Sequence, residues 1–308
     1  MQAGPSGILL VDKPVGLSSA AVVARVKRSL RLRKVGHAGT LDPFATGLLV
    51  ICINRATRLM QFLVDGQKRY EAELMLGVET DTQDLTGQIT ASAETVNVKP
   101  AALFEILKQF KGTISQTPPV YSALKHKGMP LYRLARKGKP VQKPDRTVTI
   151  RQLDILEIDL PKVRFAVECS AGTYVRTLGV DIGRALGCGG HLSALRRTAS
   201  SGFNVKDALS LDMLEDEDGR QQVLTKMIAL TDAIKQMPSF TADNKLAVKL
   251  KFGQKITVDD IELENRAGDE GHSTNGWVKI VTPDQRLLAV LDFNQKNKSF
   301  DYCCSFAD

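Results

Sequence analysis

Two hydrophobic periods alternate along the chain. Gly7 to Val11 is a short apolar run closed by Asp12-Lys13-Pro14, the pattern of a strand that ends in a turn. Ser18 or Ser19 then caps a predicted helix reaching about Leu30, because Val22, Val23, Val26 and Leu30 recur at helical spacing while basic residues fill the other face. From Gly36 to Thr46, glycines, a proline and hydroxyl or acidic side chains predict a loop that leads into a strand at Leu48 to Ile53. The longest apolar candidate, Gly47 to Ile53, stops at Asn54 and Arg55, well short of the roughly 20 residues a membrane helix requires. It reads as a buried strand.

A helix near Ala56 to Val64, an alternating strand at Arg69 to Leu76 and a polar turn at Thr80 to Gly87 come next. Pro100 opens a helix to Phe110, and a further helix is expected at Leu131 to Lys137. Thr147 to Leu160 and Val163 to Cys169, joined through Pro161, have the pattern of a hairpin, so antiparallel pairing is expected at the centre of the sheet. Tyr174 to Leu186 reads as a helix stopped by glycines, Leu192 to Thr198 as a strand, and Val223 to Ile234 as a helix. Past Met237-Pro238, the segments Lys245 to Lys251, Trp277 to Thr282 and Arg286 to Phe293 read as short strands that suit a small barrel. The expected class is α/β (α+β): a mixed, largely antiparallel central sheet flanked by helices over residues 1–238, then a small β-barrel over 239–308.

A chain of 308 residues, 43% of them hydrophobic, can bury an ordinary core. The start of the chain lacks the basic and apolar regions of a signal peptide, which makes the cytoplasm the expected location. The five cysteines include no C-x-x-C pair and read as reduced thiols. His37, His126, His191 and His272 lie far apart and none stands at metal-ligand spacing, so no metal is expected. Charge is more informative. The net charge is +8, and it is gathered: Arg25, Lys27, Arg28, Arg31, Arg33 and Lys34 form one cluster, and Lys125 to Arg151 carries nine Lys or Arg against the single acid Asp145. Either cluster alone could be a solvated face, but two in one basic chain point to a polyphosphate partner.

The run most specific for chemistry is Gly36-His37-Ala38-Gly39-Thr40-Leu41-Asp42-Pro43. Taken by itself, Asp42-Pro43 is a turn dipeptide and His37 a loop residue. The run is similar to the G-H-x-G-x-L-D-P signature of the tRNA pseudouridine-55 synthases, the bacterial TruB family. Leu9-Leu10-Val11-Asp12-Lys13-Pro14, Lys68-Arg69-Tyr70, Pro119 to Lys125 and Cys169 to Thr177 resemble four further motifs of that family, in the same order. Ala38 and Ala171 depart from it, standing where a hydroxyl residue and a lysine are common.

The resemblance implies a fold with a PUA-like C-terminal barrel, and an enzyme that isomerises a uridine in the T stem-loop of tRNA. Asp42 would be the catalytic carboxylate, Arg176 its cationic partner, and Tyr70 the ring stacked on the base. His37 would fill the space left by the extruded uridine, Tyr174 would line the pocket, and Lys13 and Lys125 would anchor the loop or contact phosphate. The reaction breaks the bond from uracil N1 to the ribose and rejoins the base through C5, so it calls for a carboxylate but no cofactor. A monomer is expected. Basicity and a barrel fit a non-catalytic tRNA-binding or folding protein equally well, and only the set Asp42, Tyr70 and Arg176 separates the two readings. A hydrolase would ordinarily need a second acid and base pair.

Overall fold

The computed structural model of the chain describes residues 4–261 and 276–307; His272 falls outside them. A ten-stranded mixed sheet organises the larger part. Its main path runs Leu209–Ser210, Gly7–Lys13, Thr46–Ile53, Gly190–Ser200, Lys68–Leu76, Lys162–Cys169, Arg146–Asp159, Gly112–Gln116. Along that path only the first two strands, and Thr46–Ile53 with Gly190–Ser200, pair parallel. The other neighbours are antiparallel, including the 146–169 hairpin.

The Thr46–Ile53 strand is buried on both faces, which is why it reads as an unbroken apolar run. Leu48, Val50 and Cys52 enter one apolar cluster, and Leu49, Ile51 and Ile53 enter another that also receives Val22 and Val26. The helix Ser19–Ser29 supplies those two valines. Its N-cap is Ser18, whose side chain accepts from the Ala21 N–H at 3.1 Å, while Arg25, Lys27 and Arg28 stay on the outer side. A third cluster packs the helices Pro100–Gln109 and Val175–Ala185 against the centre of the sheet.

Two segments depart from the pattern reading. Asn244–Lys251 is a helix and not a strand: Asp243 caps it by accepting from Leu246 N–H at 2.7 Å, and Leu246 and Leu250, four residues apart, are its buried pair. The expected helix at Val223 to Ile234 is broken in two, Glu217–Thr225 and Leu230–Ala233, because Ile228 leaves the helical path to exchange two backbone hydrogen bonds of 2.9 Å with Ile8. The C-terminal part is a curled five-stranded sheet, ordered Ser239–Thr241, Trp277–Val281, Leu287–Asn294, Ser299–Ser305, Ile256–Thr257. Its inner residues Val281, Leu287, Val290 and Phe306 share one apolar cluster with Ile8, Leu10, Leu48 and Val50. Phe62 and Trp277 meet edge to face across the same seam, 4.9 Å between centroids.

Candidate active site

The loop between the short strand Val35–His37 and Thr46–Ile53 is clamped from several sides. Ser19 Oγ accepts from Leu41 N–H at 2.8 Å and donates to Leu41 O at 2.9 Å, both buried. The Lys13 side chain has no exposed surface, and its Nζ donates to the carbonyls of Pro14, Leu17 and Pro43 at 2.8, 2.7 and 3.3 Å. Arg197 closes the loop from beneath. Its Nε, Nη2 and Nη1 donate to the carbonyls of Leu48, Gly39 and Thr40 at 2.8, 3.0 and 3.3 Å. That approach requires Gly47: its φ is +100°, and a Cβ there would lie 2.3 Å from the Arg197 carbonyl oxygen.

Held this way, Asp42 meets Arg176, one residue into the helix Val175–Ala185. Arg176 Nε donates to Asp42 Oδ2 at 2.9 Å. The guanidinium makes further bonds to the carbonyls of Thr82 at 2.5 Å and Tyr121 at 2.8 Å, with Asp84 Oδ2 3.7 Å away. Asp84 is itself locked in the 80–87 turn, its Oδ1 accepting from Thr82 Oγ1, Thr86 N–H and Thr86 Oγ1 at 2.8, 2.9 and 2.6 Å. The pair is asymmetric, with side-chain exposures of 3% for Arg176 and 33% for Asp42. The cation is therefore part of the wall while the carboxylate is open to solvent.

The opening is a cleft of about 320 Å³, lined among others by Asp42, Tyr70, Arg146, Tyr174, Arg176 and Leu195. Tyr70 is buried on the Lys68–Leu76 strand, in register with Arg197; burial pushes the phenol above its ordinary range. Tyr174 is fixed through its backbone, which receives and gives hydrogen bonds with the buried Gln116 side chain at 3.0 and 2.8 Å. Lys13 and Lys68 are each brought down to about 8, chiefly by burial, with Arg197 adding to the effect. His37 is lowered by burial and then by Arg197.

Comparison with known proteins places this arrangement. A model described as TruB family pseudouridylate synthase (N-terminal domain) matches residues 27–175, and one described as tRNA pseudouridylate synthase B C-terminal domain matches 176–235. A protein of Syntrophobacter fumaroxidans called tRNA pseudouridine synthase B is 42% identical over 287 residues, 93% of this chain and 92% of its own. The chain belongs to the TruB family of pseudouridine synthases. A relative of the same name from Syntrophotalea carbinolica is 45% identical, covering 83% of each chain. Among solved structures, a Cbf5-Nop10-Gar1 complex matches with a TM-score of 0.73 and 28% identity over 96% of this chain and 83% of that one. An H/ACA RNP bound to a substrate RNA containing 2'-deoxyuridine matches at 0.72 and 26%, over 98% and 85%. The chain is thus an isomerase of the pseudouridine synthase class.

Within this TruB-family cleft the fold gathers Asp42, Tyr70, Tyr174 and Arg176. It sets three other sequence candidates outside the lining. Lys13 is a buried anchor of the loop, Lys125 is exposed on the hairpin Lys125–His126/Met129–Pro130, and His37 stands on the edge strand with its Nδ1 buried and unpartnered among the described residues. The sequence reading missed Arg197, which looks like any strand residue, and Asp84, whose D-x-T turn chemistry was visible but carried no link to Arg176.

Proposed function

We propose that this TruB-family enzyme converts a uridine in the T loop of tRNA into pseudouridine, with Asp42 as the catalytic carboxylate. One observation carries the reading: a carboxylate open to a cleft, tied through a single oxygen to a buried arginine and set among the side chains of Tyr70 and Tyr174. The relatives named for tRNA, and the structural neighbour whose title includes a substrate RNA, support RNA as the partner. The N1–C1′ bond of uridine breaks, the base turns, C5 bonds to C1′, C5 loses its proton and N1 gains one; atoms balance within the nucleotide.

Asp42 acts at the ribose, as nucleophile or as base, with its second oxygen; Arg176 supplies the countercharge once a base displaces water from the cleft. Tyr70 keeps the detached uracil in place by ring contact. Extrusion of a stacked uridine costs a few kcal/mol, and the neutral ring of His37 fills the vacated place. Lys125 and the basic helix face meet phosphates. The protein works as a monomer, with residues 1–238 carrying the chemistry and 239–308 supporting RNA binding. In line with that division, no residue beyond Arg197 lines the cleft among the described residues.

Purified protein and unmodified tRNA should give a mass-neutral, carbodiimide-reactive uridine at one T-loop position. Asp42→Asn should bring that signal to background while tRNA binding persists. Turnover within a few-fold of the parent in Asp42→Asn would remove Asp42 from the mechanism.

A further inference from the structure

Three arginines reach the cleft, and two of them are buried in its wall and floor. Arg176 is tied to Asp42 and two carbonyls, and Arg197 to three carbonyls. Arg146 is different. Its guanidinium lies over the Tyr174 ring, 4.5 Å from the centroid, and donates to the Gly172 carbonyl. Its Nε is buried without a partner, and no carboxylate pairs with it among the described residues. The neighbouring acid, Asp145, is turned to the hydroxyls of Thr117 and Ser115.

We infer that Arg146 is the phosphate clamp of the cleft, binding a phosphodiester that flanks the extruded uridine. This inference rests on the proposed RNA substrate. A guanidinium has five N–H donors, and a planar one stacked on an aromatic ring keeps its edge available for two parallel bonds to phosphate oxygens. The seat is rigid. Arg146 opens the strand Arg146–Asp159 opposite Gln116, the same residue that holds the Tyr174 backbone. Gly172, at φ +84°, leaves room for the stack, since a Cβ there would lie 3.4 Å from Arg146 Cζ. A uridine cannot enter the cleft without its two flanking phosphates, and Arg146 is the lining arginine that is half-buried while the other two are fully enclosed.

The test is a salt titration of tRNA binding in the Asp42→Asn background, which needs no turnover. Arg146→Met keeps an apolar cover on Tyr174 and should weaken binding roughly 5- to 10-fold near 0.1 M salt while lowering the log-log salt slope by about 0.7 to 0.9, one phosphate contact. Arg146→Lys should restore the slope. If Arg146→Met folds poorly, the parent can be tested with T-arm RNA bearing a neutral methylphosphonate on either side of the target uridine. One of the two should reproduce the loss of slope, and the other should leave the slope as it is with unmodified RNA. An unchanged slope in Arg146→Met, or in both methylphosphonate RNAs, overturns the clamp. Asp42→Asn that still turns over uridine overturns the functional reading instead, so the two failures are distinguishable.

Discussion

The wall and the floor of the cleft each contain a buried arginine, and the two are answered by different chemistry. Arg176, in the wall, meets a carboxylate that remains open to solvent, with Asp84 behind it. Arg197, in the floor, donates to three backbone carbonyls. A buried cation facing carbonyls is a fastener: it holds Gly39, Thr40 and Leu48, while burial, and after it the field of this cation, pushes Lys13, Lys68 and His37 toward their neutral forms. A buried cation facing an open carboxylate serves the reacting atoms in the proposed reaction. Loss of the first should therefore be felt in folding, and loss of the second in turnover.

Arg176→Lys is the sharpest break of that contrast, since an ammonium cannot make the three fixed bonds of the fork. Turnover on tRNA should fall at least about 100-fold with a melting temperature near that of the parent; a rate within fivefold of the parent would place Arg176 among the fasteners. Arg197→Met should do the converse. Leaving three carbonyls of the loop without donors costs about 3 kcal/mol or more, lowering the melting temperature by roughly 6–12 °C in a thermal scan. A variant that melts with the parent yet has lost turnover would reverse the two roles.

Smaller changes refine the comparison. Asp84→Asn removes a charge 3.7 Å from Arg176 while keeping the turn, and should reduce single-turnover rate roughly tenfold with little change in tRNA affinity. Equal losses in rate and affinity would mean that the turn itself had moved. Tyr70→Phe keeps the ring and removes only the hydroxyl of a buried side chain, and should stay within about 1 kcal/mol of the parent by urea titration. Lys68 reads the surroundings of Arg197 through pH. Its folded value near 8 lies below the ordinary 10.5, so between those values the unfolded chain binds more protons and stability gains as pH rises. The parent should gain on Lys68→Met between pH 7.5 and 10 in urea titrations; a parent that loses ground shows the opposite shift.

Much of this was legible in the sequence where a local rule and the tertiary demand agree. The double-sided apolar strand 46–53 and the Ser18 cap each announce their place within a dozen residues, whereas the run from Gly36 to Pro43 by itself announces only a loop and takes its expected role from the family resemblance. Arg197 and Asp84 did not, because their meaning comes from pairing across distant strands: Arg197 reaches back 158 residues to Gly39, and Arg176 reaches 94 to Thr82. The Lys245 to Lys251 segment failed for a local reason. In K-L-A-V-K-L-K the alternating and helical patterns both fit, and the Asp243 cap that decides between them was passed over.

The apolar cluster that joins Ile8 to Phe306 also sets a timetable for synthesis. Nearly three hundred residues separate its first and last members, so at roughly 5–20 residues per second the inner face of the Gly7–Lys13 strand waits on the order of 15 to 60 seconds for its cover. Through that interval the nascent chain presents Ile8 and Leu10 to whatever surrounds the ribosome. Clipping or slow translation around residues 281–306 would accordingly surface as aggregation through the opposite end of the polypeptide, far from the lesion.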